Sequence, residues 1–190
     1  HPALQQRFRL AQTHCDVARR YADTSFTRFF QRSNERKAVD IYTEVLTKIQ
    51  TYYVESPNWR HLVQRGTDTF LAALHDPVFL QTHLPDLTAE KRLALSGQVR
   101  RHVRERQITS RHQAQQVVLE LARVAQQQTG LRTDACIMEY TCGALTNLDL
   151  YSSFLTASQL KDVFSQIEGN FVGLRIELKC EETALRIVGV

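Results

Sequence analysis

LDLYSSFLTASQLKDVFSQIEGNFVGLRIELKCEETALRIVGV, residues 148–190, changes its hydrophobic period in the middle. After Thr156, a hydroxyl residue suited to an N-cap, Leu160, Val163, Phe164 and Ile167 recur at spacings of three and four, the stripe of an amphipathic helix. Gly169 is the expected stop. Beyond it Val172, Leu174, Ile176 and Leu178 alternate with Gly173, Arg175, Glu177 and Lys179, the period of two of a half-buried strand. A second apolar run, Ala184 to Val190, follows the polar Glu181-Glu182-Thr183. The spacing therefore predicts a helix feeding a short antiparallel β-hairpin.

Working outward, a matching upstream stretch is AVDIYTEVLTKIQTYYVESPNWRHLVQRGTDTFLAAL, residues 38–74. Together with Leu148-Asp149, Ser152 to Thr156, Gln159-Leu160-Lys161, and Gly169 to Gly173 running into Ile176-Glu177-Leu178, it resembles the carboxyl-terminal processing (tail-specific) serine peptidase family. The upstream stretch is similar to that family's opening helix pair, with the Tyr53-Val54 turn and the helix after Trp59. The matching stretches cover about half of the chain. Leu150 and Tyr151 stand where the family commonly has Pro and His, Arg175 replaces a usual glycine, and the long segment between the matches is not typical of its better known members.

The resemblance implies a helical N-terminal region that closes and enters a PDZ domain near Phe171. In the family, the nucleophilic serine and its lysine base lie beyond that PDZ domain, so no catalytic residue transfers to this chain. The resemblance further implies a parent serine endopeptidase acting on protein C-termini outside the cytoplasm, with a protein or peptide substrate.

The chain has 190 residues, 43% hydrophobic and 23% charged, the balance of an ordinary globular protein. A net charge of +4 permits an acidic partner without demanding one. No apolar run approaches the roughly 18 residues that span a bilayer, and His1-Pro2 opens without a signal-peptide pattern. Cys15, Cys136, Cys142 and Cys180 are too scattered for a disulfide framework; buried thiols are expected, with one bridge left open.

Helical stripes fill the rest. Leu4 to Phe30 reads as one helix, with Leu4, Phe8, Ala11, Cys15, Ala18, Ala22, Phe26 and Phe29 on one face. Ala38 to Tyr53 carries a wide seam, halted by Ser56-Pro57-Asn58. Asn58 caps a helix bearing Leu62, Val63, Gly66, Phe70, Leu71 and Leu74, antiparallel to its predecessor, and Asp76-Pro77 opens a short helix through Gln81. Thr88 opens a basic helix and Ser110 a further one that stops at Gly130; Thr133 caps the helix carrying Ile137, Tyr140, Ala144, Leu145 and Leu148. Residues 66–80 faintly echo residues 142–155, too few copies for a repeat architecture. The 85–131 segment reads as an insertion into a helical region.

Candidate chemistry is sparse. Ser152 and Ser153 with Asp149 and a remote His75 or His83 lack a Gly-x-Ser-x-Gly elbow, so turn formation accounts for them. Cys136 and Cys142 on one helix would point some 240° apart at about 100° per residue, which argues against a metal site. The charge anomaly is Arg100, Arg101, Arg104, Arg106 and Arg111, which reads first as a solvated helix face paired with acidic residues such as Glu105 and Glu120 and second as a candidate partner-binding face; the stretch has no aromatics to stack on bases, which argues against nucleic acid.

The expectation is thus a mainly α-helical bundle of six to eight helices over 1–168, with the 85–131 insert, followed by a β-hairpin over 169–190 as an incomplete PDZ start. No cofactor and no metal is expected. The function expected is a non-catalytic N-terminal domain of a tail-specific peptidase, serving scaffold, assembly or substrate guiding, with homo-oligomers through helical seams or the hairpin edge. The alternative is a free-standing helical module binding an acidic partner through its arginines.

Overall fold

The computed structural model describes residues 2–146, 148, 152–168, 177–181 and 184–189. It is mainly helical, with nine helices among the described residues: α1 (Pro2–Ala22), α2 (Thr24–Gln31), α3 (Glu35–Tyr52), α4 (Trp59–Ala73), α5 (Pro77–His83), α6 (Ala89–Glu105), α7 (Arg111–Thr129), α8 (Thr133–Thr146) and α9 (Ala157–Ile167). Two strands follow, β1 (Glu177–Glu181) and β2 (Ala184–Gly189). The chain divides into two compact units, 1–156 and 157–190, so α9 belongs with the strands rather than with the helical body that was expected to run to residue 168.

Short-range capping sets the helix boundaries. Asn34, Asn58, Asp76, Thr88 and Ser110 each accept the backbone N–H three residues on, satisfying donors that a helix start leaves unpaired. Gly130 closes α7 in the left-handed conformation at φ 75°, its N–H donating to Gln126 at 2.8 Å. The expected single helix Leu4 to Phe30 is two helices. Asp23 breaks it by adopting an extended conformation and accepting from the Ser25 N–H at 2.8 Å, which restarts the chain as α2 and carries the total past eight. Helix α8 begins at Thr133 itself, and α5 runs two residues beyond Gln81.

Helix α8 is the axis of the first unit. Every residue from Thr133 to Ala144 is buried, and α3, α4 and α7 pack around it. An apolar stripe was expected; the whole circumference is enclosed, as befits a helix whose only charges over this span are Asp134 and Glu139. Helix α4 crosses α8 at two glycines. A Cβ on Gly66 would lie 2.9 Å from the Tyr140 Cα, and one on Gly143 would lie 2.7 Å from the Gly66 Cα, so the close approach requires glycine at both positions. Tyr140 Oη and Thr67 Oγ1, 3.0 Å apart, satisfy each other across the same contact.

The 85–131 segment is woven into this core. Leu95, Val99, Val103, Ile108, Val118, Leu121 and Leu131 are buried, α7 packs on α8, and α6 packs on α7 and α4. Helix α1 lies on α4 and α5. Its buried residues, Val17, Arg20 and Tyr21, are in the second half, whereas Leu4 and Phe8, expected in a buried seam, are 66% and 70% exposed.

In the second unit, β1 and β2 pair antiparallel, Lys179 opposite Arg186 and Cys180 opposite Leu185, with an irregularity at Glu177/Leu178. The expected helix stop at Gly169 and the strand positions Val172 to Ile176 lie outside the described residues, as does Val190. None of the α9 residues is buried.

Candidate functional site

Arginine is the residue that the fold treats in two ways, so the site is best built from it. The first way is enclosure. Val17, Arg20 and Tyr21, at spacings of three and four on α1, turn one face to the core. Tyr21 Oη donates to Glu139 Oε1 at 2.8 Å and Arg20 Nη2 donates to Glu139 Oε2, linking the end of α1 to the middle of α8. Arg20 is 6% exposed and Glu139 0%. The Arg20 guanidinium also lies 5.4 Å from the Phe26 ring centroid and 5.9 Å from that of Tyr21.

Burial pushes the Glu139 carboxyl up, against the opposing charge and hydrogen bonds of Arg20 and Tyr21. Burial likewise opposes the Arg20 charge, but the neighbouring Cys142, Glu139 and Tyr21 outweigh it and raise the guanidinium above its ordinary value. The Cys142 thiol is pushed up to about 12 by burial. Such a thiol is no nucleophile, and the cluster acts as a staple between helices. Next to it, His83 sits among Phe30, Phe79 and Tyr21, with ring centroids 4.7, 5.0 and 6.0 Å away. Burial, then the Arg132 charge, lower it to about 4.

The second way is a groove. Between α1, α4 and α6 lie two adjoining cavities, about 400 Å³ and about 500 Å³, that share Arg65, Asp68 and Arg100. Arg60, His61, Gln64 and Arg104 extend the lining to one side, Gln5, Arg9, Leu10 and Thr13 to the other. The helices make this geometry: Arg100 and Arg104 are one turn apart on α6, as are His61 and Arg65 on α4.

Arg65 Nε donates to His61 Nε2 at 3.1 Å, and its Nη1 lies 3.7 Å from Asp68 Oδ2. Arg60 donates to the Arg104 and Arg106 carbonyls, both at 3.1 Å, and so caps the negative end of α6. His61 is lowered by partial burial and by the charges of Arg65 and Arg9, while partial burial raises Asp68. Five arginines face one carboxylate here.

The structure divides the five arginines singled out in the sequence. Arg100 and Arg104 line the groove. Arg101 is exposed and outside its lining. Arg106 pairs with Glu120 at 2.9 Å, which His102 also contacts at 2.9 Å. Arg111 reaches across to α3, donating to Thr47 Oγ1 at 2.9 Å. A continuous face from Arg100 to Arg111 is therefore not formed, because a helix turns successive residues about 100° apart and α6 ends before Arg111. Sequence reasoning missed Arg9, Arg60, Arg65, His61 and Asp68. The one-turn spacings within α4 and α6 were visible, but not the convergence of three helices.

No described contact joins Ser152 or Ser153 to His75 or His83. Asp149 lies outside the described residues; Ser153 is exposed. His75 Nδ1 is 2.9 Å from the Leu71 carbonyl, and His83 is held among the aromatic rings. Cys15 is an exposed free thiol, and Cys136 and Cys142 are buried free thiols on α8. Among the described residues no three His, Cys, Asp or Glu side chains gather as metal ligands. Among them, too, no helix is long and apolar enough to cross a membrane.

No family profile, curated protein or solved structure matches the chain.

Proposed function

We propose that the chain is a non-catalytic N-terminal region of a protein resembling tail-specific serine peptidases, giving that protein scaffold, assembly or substrate-guiding surfaces. The support is the order of pieces from Ser152 to Gly189. After a helical body that ends with a short segment up to Thr156, an amphipathic helix α9 and an antiparallel strand pair stand as a unit of their own. In this reading the strand pair begins a PDZ domain, and a parent that acts outside the cytoplasm supplies the serine and lysine elsewhere. The seam at Leu4 and Phe8, exposed on α1, is then a surface for assembly between subunits.

The test combines the full reading frame of the native protein with a peptidase assay. A frame that continues into the rest of a PDZ domain and a serine–lysine core, together with no peptide hydrolysis by the 190-residue chain alone, is the expected result. A frame that ends at Val190, or hydrolysis by the chain that Ser153→Ala abolishes, defeats the reading.

A further inference from the structure

We propose that the groove between α1, α4 and α6 docks an acidic peptide segment, with Arg9, Arg65, Arg100 and Arg104 contacting its carboxylates. Charge is the first argument. Of the five arginines in the lining, Arg60 is engaged with the carbonyls at the end of α6 and Arg65 is shared with His61 and Asp68. Arg9, Arg100 and Arg104 form no ion pair among the described residues. Three arginines outside the groove are paired, Arg20 with Glu139, Arg106 with Glu120 and Arg132 with Asp134. In the groove five arginines meet the single carboxylate of Asp68, so positive charge is in excess there.

Shape and chemistry select the ligand. Two adjoining cavities that share Arg65, Asp68 and Arg100 give room for a chain of several carboxylates rather than one small anion. Guanidinium forks match carboxylates in a bidentate manner. Gln5 and Gln64, toward opposite ends, offer amides to a peptide backbone, while Leu10 and Val103 are the apolar contacts. No Phe, Tyr or Trp lines the channel, and its one ring, the His61 imidazole, is held by Arg65, so nucleobases would find no broad stacking platform. Asp68, the single carboxylate, sits beside the shared arginines and would repel an acidic residue placed directly on it, so the carboxylates bind to either side. The proposal stands on the groove alone and holds whether or not the parent is a peptidase.

Fluorescence anisotropy tests it with the purified 190-residue chain and a labelled peptide of about twelve residues rich in Asp and Glu. Binding should weaken steeply as salt rises. Arg100→Glu and Arg9→Glu, both on exposed side chains, should each weaken it roughly tenfold or more. Arg101→Glu, one residue away but outside the lining, should change it by less than about twofold. Absence of binding, or equal effects of Arg100→Glu and Arg101→Glu, overturns the proposal. So does tighter binding of a single-stranded DNA of matched charge, which would make the groove a phosphate site. None of these outcomes bears on the reading frame, so the peptidase reading stands or falls separately.

Discussion

Arg20 and Arg100 are the same side chain in opposite circumstances, and the contrast separates what holds this fold together from what it offers to a partner. Arg20 is buried beneath two aromatic rings with its charge closed on Glu139. Arg100 stands on the wall of an open channel beside Arg65, Arg104 and Arg9. A buried ion pair is costly to form and more costly to break, because removing one member strands the other charge away from water. A solvated arginine costs the fold little and keeps its hydrogen-bonding capacity for something else. The lesson is that arginine count alone says nothing about function; enclosure decides it.

The sharpest way to break the comparison is to remove the counter-charge on each side. Glu139→Ala should cost about 3–5 kcal/mol in urea denaturation, since Arg20 is left buried and unpaired. Asp68→Ala in the groove should cost no more than about 1 kcal/mol. Replacing both members of the enclosed pair, Arg20→Met with Glu139→Leu, should recover most of the loss. A double variant as unstable as the sum of the single ones would show that the pair is not coupled.

His83 gives the next effect, through pH. Its folded value of about 4 lies below the ordinary 6.5, so the folded state binds the proton more weakly than the unfolded chain does. Its contribution is complete above pH 6.5, declines as pH falls toward 4, and is lost below that. The gap corresponds to at most about 3 kcal/mol, reduced by the part of the ring that water reaches. His83→Leu should flatten this part of the stability profile relative to the native chain, as followed by urea titrations at several pH values. An unchanged slope would place the acid sensitivity elsewhere.

Packing differs in the same direction. Gly66→Ala forces a methyl against Tyr140 at the α4–α8 crossing and should destabilise by about 1–3 kcal/mol or more. Gly97→Ala, on α6 where a Cβ meets nothing within 4 Å, should stabilise by about 0.5–1 kcal/mol through helix propensity. Thermal melts of the two variants check both signs. If Gly97→Ala destabilises, the outer surface of α6 is not open.

Much of the helical framework was legible in the residues. Asn58, Asp76, Thr88, Ser110 and Gly130 mark helix ends where their capping chemistry says they should. Asp23 was passed over because the apolar spacing continues across it from Ala22 to Phe26, and a stripe does not register a backbone that stops and restarts. Helix α8 was read as one-sided because its stripe was counted and the near-absence of charge on its other faces was not. The candidate site was half legible. Arg100 and Arg104 were singled out, whereas Arg9 and Arg65 belong to helices whose charges look ordinary one at a time.

The sequence by itself determined local matters: most helix starts and stops, and the buried faces of α3, α4 and α7. These depend on side chains within three or four positions of one another, and a linear text carries them. Only the tertiary structure decided which charges are closed and which are open. Arg20 meets Glu139 across 119 positions of chain, and the groove needs α1, α4 and α6 together. Burial and charge pairing are set by neighbours in space, and no local pattern announces who those neighbours will be.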